Sequence, residues 1–163
     1  MLGRAVPLAS PLDAARFAPA ARRRLGGPGL RAFQHIADLW RLTEAERLLV
    51  LGLPSRSTFY GWLKAAEVTL PVDVLLRISA VLGIHKALRI LFETEAEGAA
   101  WLRAANAALP FAGQAPLALI TGGTQDGLMQ VRRFLDAARG GLHMAPNAAD
   151  EAPPWRDDDI VIA

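Results

Sequence analysis

Between residues 99 and 141 the chain is cut at fixed points by glycine and proline, and those cuts limit what it can fold into. Trp101-Leu102 is followed by a polar corner at Asn106. Residues 106–124 then hold three glycines and two prolines around one short apolar run, Pro116-Leu117-Ala118-Leu119-Ile120. This spacing predicts a helix, a loop with a single helical turn, and a closing helix that opens at Thr124 and stops at Gly140. Leu128, Val131, Leu135 and Ala138 lie at helical spacing on that last segment and give it an apolar stripe. Trp101, Leu117, Leu119, Val131 and Leu135 are the expected small core. No nucleophile, base and orienting group can be assembled from the stretch.

Upstream, Leu30, Phe33, Ile36, Ala37 and Trp40 share one helical face and predict a first helix ending near Arg41. Thr43 and Glu46 have capping-box spacing, in which each side chain satisfies the other residue's amide, and they open a second helix with Leu48, Leu49 and Leu51. Gly52-Leu53-Pro54-Ser55 reads as a turn. A third helix follows, with Phe59, Trp62, Leu63 and Ala66 expected inside. Pro71 starts a fourth helix on Val74, Leu75, Ile78, Val81 and Leu82, with a stop expected at Gly83 and a fifth helix from His85 to Phe92. Thr94 and Glu97 repeat the capping box. Residues 1–29, closing on Gly26-Gly27-Pro28-Gly29, read as a flexible arm and hinge, a short helix over residues 12–24 being the alternative.

Two helices joined by a tight glycine-containing turn form a helix-turn-helix, whose second helix presents its exposed start to the major groove. Ser55, Arg56, Ser57, Thr58, Tyr60 and Lys64 are then the DNA-binding candidates. Arg56 suits a bidentate contact to guanine, while Ser57, Thr58 and Lys64 suit phosphates. The competing reading is an ordinary helical hairpin with a polar face in water. Arg22, Arg23 and Arg24 are candidates for backbone or minor-groove contact, against the alternative of a solvated charge run.

The charge distribution favours the DNA reading. Residues 1–92 hold 13 Lys/Arg against 6 Asp/Glu, a balance of +7, and residues 93–163 hold 5 against 10, a balance of −5, within an overall +2. A basic half attracts phosphate backbones through counterion release. With 52% hydrophobic and 21% charged residues the chain is expected to be ordered and soluble, and its apolar runs fall short of the ~20 residues of a membrane span. Prolines at 7 and 11 break any signal-peptide core. The absence of cysteine removes disulfides, thiolate metal sites and thiol nucleophiles. His35, His85 and His143 lack ligand spacing, so no metal is expected, and no cofactor motif stands out: Gly122, Gly123 and Gly127 match neither a dinucleotide fingerprint nor a P-loop. Asp157, Asp158 and Asp159 sit together on a polar tail and read as a solvated run or a contact for a basic partner.

The order Trp101-Leu102, Asn106, Leu109, Gly113, Pro116-Leu117, Gly127, Val131, Leu135, Gly140 resembles the toxin-binding domain of prokaryotic antitoxins of the Xre/MbcA/ParS type. Two departures stand out: Phe111-Ala112 extends the turn before Gly113, and Ala105 replaces the proline that commonly precedes the corner asparagine. The resemblance implies an all-α fold: a flexible arm (1–29), a helix-turn-helix bundle of about five helices (30–92), a three-helix toxin-binding domain (93–141) and a C-terminal tail (142–163). It implies a type II antitoxin, cytoplasmic and homodimeric, that sterically inhibits a RES-domain, NAD-consuming toxin and binds operator DNA to autoregulate its operon. Gln114, Thr121, Gly122, Arg132, Arg133 and Asp136 would face the toxin, joined by Trp155, Arg156 and Ile160 of the tail. The alternative is a stand-alone helix-turn-helix regulator whose C-terminal half dimerises or senses a ligand.

Overall fold

The computed structural model describes residues 14–140. A 3-10 turn at Ala14–Phe17 leads into α1 (Pro19–Leu39), α2 (Glu44–Val50), α3 (Arg56–Lys64), α4 (Val72–Leu91), α5 (Glu95–Arg103), α6 (Pro116–Ile120) and α7 (Gln125–Arg139). No strand occurs among the described residues, and the fold class is all-α.

Helix α4 organises the rest. It buries Val74, Ile78, Ala80, Val81, Ile84, Ala87 and Leu88. At about 100° per residue these positions cover about half of the circumference, more than the stripe of a helix covered from one side. Two helices share that arc: α1 brings Leu30, Phe33, Ile36 and Ala37, and α7 brings Leu128, Val131 and Leu135. One continuous core results, reaching from Leu30 to Leu135 through Trp40, Leu51, Phe59 and Leu102. Each fully buried Leu, Ile or Phe contributes about 1.5–3 kcal/mol.

The threonine caps are realised. In both boxes the threonine hydroxyl accepts from the glutamate amide at 3.2 Å, and the glutamate carboxylate accepts from the threonine amide at 2.8 Å (Thr43, Glu46) or 3.0 Å (Thr94, Glu97). Thr124 caps α7 by accepting from the Gly127 amide at 3.1 Å.

Two expectations fail for a common reason. The hinge at Gly26-Gly27-Pro28-Gly29 is helix, because Gly26 is buried against the loop before α4, where a Cβ would stand 2.1 Å from the Val68 carbonyl oxygen. Gly83 does not end a helix. The fourth and fifth helices are one, and Gly83 sits under the Arg132 guanidinium of α7, whose Nε would lie 2.7 Å from an added Cβ. In both, close approach of a neighbour outweighs the ~1 kcal/mol helix penalty of glycine. Separately, Leu63 of α3 and Ala66, just past its end, are exposed rather than in the core, which receives Phe59 and part of Trp62.

His85 marks the seam between α1, α4 and α5. Its ring lies 6.3 Å from that of Trp40 and its Nε2 is 3.7 Å from Glu95, which also holds Arg89 at 3.2 Å. Burial pushes the imidazole below its ordinary 6.5; Glu95 opposes this, and Arg89 and His35 add to it.

Two outcomes follow from this packing. Gly26→Ala should lower stability by about 1–3 kcal/mol in urea unfolding, despite its better helix propensity, and shift one cooperative transition rather than splitting it. Because folded His85 binds its proton less readily than the unfolded chain does, stability should fall as the pH drops through 6.5. His85→Gln should flatten the urea midpoint between about pH 7.5 and 5.5, and an unchanged slope would show that other groups carry it.

Candidate nucleic-acid and partner interfaces

The turn between α2 and α3 is built from left-handed backbone. Gly52 (φ 84°) and Leu53 (φ 62°) reverse the chain, with the Leu53 amide donating to the Leu48 carbonyl at 2.7 Å. Arg77 of α4 lies over Gly52, where an added Cβ would meet its Nε at 2.9 Å, and the positive φ favours glycine there. Ser55 caps α3: its hydroxyl accepts from the Thr58 amide at 3.1 Å and is 3.0 Å from the Ser57 hydroxyl and 2.8 Å from that of Thr58.

The exposed start of α3 carries the expected set. Ser55, Arg56, Ser57, Thr58, Tyr60 and Lys64 are all exposed along one element. Two of them are not free in the way their types suggested. Glu44, the first residue of α2, holds Arg56 Nε 2.7 Å from its Oε1, an ion pair without an aligned N–H, and accepts a hydrogen bond from the Tyr60 hydroxyl at 2.8 Å on Oε2. That hydrogen bond, and then the carboxylate's charge, raise the Tyr60 phenol above its ordinary 10.0, so it stays protonated. Glu44 was legible only as a helix-start acid, since its partners lie across a turn whose angle the sequence does not state.

The arginine triplet is divided. Arg22 donates to the carbonyls of Leu70 at 3.0 Å and Phe17 at 3.1 Å, tying α1 to the loop before α4, which is a structural use of the side chain. Arg23 and Arg24 stay exposed and, with Arg31, line a depression shared with Ala66, Glu67 and Val68 just past the end of α3. Sequence spacing gave no reason to include Arg31.

In the second half the loop at residues 106–114 is closed on itself. The Asn106 amide donates to the Gln114 carbonyl at 3.2 Å, the Gly113 amide returns to the Asn106 carbonyl at 2.8 Å, and the Asn106 side chain accepts from the Ala108 amide at 3.0 Å. Phe111, an insertion by sequence, anchors the loop: it is 2% exposed and meets the Phe134 ring edge-on at 4.8 Å and that of Trp101 at 5.9 Å. Trp101 stacks on Phe134 at 6.1 Å and is flanked by Phe92. Leu109, by contrast, a position of the sequence pattern to which no contact was assigned, is 86% exposed near the loop tip.

The other expected contacts are spread around this loop and α7. Gln114 and Gly122 are exposed, whereas the Thr121 hydroxyl is turned inward to the Leu117 carbonyl at 2.8 Å. Arg133 pairs with Asp126 at 3.4 Å. Asp136 bridges Arg132 (3.7 Å) and Arg139 (3.2 Å), and Arg132 lies along α4 rather than standing out from it. Trp155, Arg156 and Ile160 fall outside the described residues. No cluster of three or more metal-ligating side chains occurs among the described residues, and none of the helices there is long and apolar enough to cross a membrane.

Residues 19–83 match the antitoxin Xre-like helix-turn-helix domain, and residues 87–141 match the antitoxin Xre/MbcA/ParS C-terminal toxin-binding domain. The chain belongs to the Xre/MbcA/ParS antitoxin family. An uncharacterized protein, y4oB, of Sinorhizobium fredii (strain NBRC 101917 / NGR234) is 45% identical over 112 residues, covering 69% of this chain and 84% of that relative. The two matched domains of the antitoxin are a helix-turn-helix domain and a toxin-binding domain. The matched segments of the antitoxin meet at residues 84–86, inside α4, and the first begins at Pro19, where α1 begins.

Because Phe111 fills the space under the closed loop, Phe111→Ala should cost about 3–5 kcal/mol. Urea unfolding followed by tryptophan fluorescence should show it, and a cost under about 1 kcal/mol would mean that the ring does not hold the loop.

Proposed function

We propose that this chain is a type II antitoxin that covers the catalytic mouth of a RES-domain, NAD-consuming toxin and, as a homodimer in the cytoplasm, binds operator DNA to repress its own operon. The observation that carries the toxin half is Leu109, held 86% exposed on a closed loop of the toxin-binding domain. An apolar side chain presented on a backbone already fixed by its own hydrogen bonds loses little freedom on docking. With it we assign to the toxin side Gln114 on the same loop, Thr121 and Gly122 between α6 and α7, and Arg132, Arg133 and Asp136 on α7; Gln114, Gly122 and Arg133 are exposed.

The charge split divides further. Residues 93–140 hold 5 acidic and 4 basic side chains, so most of the negative excess lies in residues 141–163 together with Trp155, Arg156 and Ile160. An acidic segment with an aromatic anchor speeds encounter with a basic surface and lengthens residence once bound. The DNA half rests on the exposed row from Ser55 to Lys64, with Arg23 and Arg24 on backbone phosphates.

Truncation is a poor test, because removing residues after Phe92 strips α7 from α4 and exposes its buried face. Surface substitutions separate the roles. Arg56→Ala should weaken operator binding about tenfold or more and leave toxin neutralisation intact. Leu109→Asp should do the reverse, lowering toxin affinity by about 30-fold, as expected of a central anchor. Co-expression with a RES-domain toxin, scored by growth and co-purification, reads one arm, and operator mobility shift reads the other. Loss of neutralisation by Arg56→Ala in a folded protein would overturn the division of labour. No rescue and no co-purified toxin alongside intact DNA binding would leave a stand-alone regulator.

A further inference from the structure

An arginine at the exposed start of a recognition helix can meet DNA in two ways. Its terminal pair of Nη groups can grip the O6 and N7 of a guanine as a fork, or the freely swinging side chain can settle on a nearby phosphate. The first reads sequence and the second does not. In this protein the choice is constrained before any DNA arrives. Arg56 is 75% exposed, yet its Nε lies 2.7 Å from Glu44 Oε1, an ion pair without an aligned N–H to an oxygen shut off from solvent, while Oε2 of the same carboxylate takes the Tyr60 hydroxyl at 2.8 Å. One residue at the start of α2 therefore ties down two side chains of α3, four positions apart and one helical turn from each other.

We propose that Glu44 is a positioning residue that determines which base the helix-turn-helix reads, by holding the Nε edge of Arg56 so that its two Nη groups face a guanine edge. This rests on the DNA-binding reading above and adds to it an acidic residue on a surface that otherwise selects for basic ones. A carboxylate beside a polyanion lowers affinity, so its value is selectivity. Paired with Glu44, Arg56 carries no net charge to the backbone and gains little from a phosphate, whereas the fork to guanine survives because it uses the opposite end of the guanidinium. Tyr60 is oriented by the same contact. Its proton is committed to Glu44, so the hydroxyl offers DNA only its lone pairs, which suit an amino group of a base and not a phosphate oxygen.

The test uses the full chain and a pool of random-sequence DNA duplexes, from which bound duplexes are selected and sequenced. Anisotropy titrations over a range of salt concentrations then use the selected duplex, its single-base variants and an unselected duplex. Arg56→Ala should erase preference for guanine at one base pair by about tenfold or more. Glu44→Ala should erase most of the same preference, at the same base pair, while binding the unselected duplex more tightly and steepening the salt dependence by about one phosphate contact. Glu44→Gln, which keeps an oxygen at the Nε edge without the charge, should retain the preference and show only the steeper salt dependence. The double variant Glu44→Ala/Arg56→Ala should lose no more preference than Arg56→Ala alone. Circular dichroism should show all of them helical; if Glu44→Ala does not fold, the Gln variant and its salt slope carry the test. An unaltered guanine preference in folded Glu44→Ala, effects that multiply in the double variant, or an unaltered salt slope in Glu44→Gln would overturn the role assigned to Glu44. If the wild-type chain selects no duplex at all, the DNA-binding reading itself fails, which the same first titration distinguishes.

Discussion

The burial of α4 on both sides is the constraint from which the rest of this structure follows. Helix α1 approaches the side of α4 that carries Ile78, against Gly29, and α7 the side that carries Gly83, under Arg132. The two halves of the chain bury this helix together. The two therefore stabilise one another through a shared element, and the surfaces at either end inherit their rigidity from it. Arg77 carries that rigidity to the turn over Gly52, and Arg132 and the aromatic group around Trp101 carry it to the opposite end.

What could be read in the chain beforehand was what local chemistry decides. The capping boxes at Thr43 and Thr94, the cap at Thr124 and the proline start of α6 each depend on residues within one turn, and each is where the spacing placed it. The exposed row on α3 was legible for the same reason, since an amphipathic helix states its own outer face. The glycines were harder. At Gly26 and Gly83 the sequence offers the same letter for a break and for a close crossing, and only the neighbour, the Val68 carbonyl or the Arg132 guanidinium, decides between them.

The candidate sites were legible as residue types and not as partnerships. Glu44 and Arg56 are separated by a turn whose direction depends on two positive φ angles, so nothing in their spacing announces the ion pair. Phe111 lies in a segment without periodicity, where an apolar residue can equally be anchor or bait. The neighbouring Leu109 took the opposite fate, and no pattern in the residues between 106 and 114 separates the two. Arg22 shows the converse error, a basic residue that satisfies carbonyls within the fold while its neighbours Arg23 and Arg24 face solvent.

The uninterrupted run of α4 across residues 84–86, where the two family segments adjoin, bears on how such proteins can diversify. There is no linker at which to graft one reader onto another cover. A recombinant spliced at that border joins two parts of one helix, so its buried Ile84, Ala87 and Leu88 must suit the neighbours supplied by both parents at once. Exposed side chains at the rims make no such demand of the opposite module.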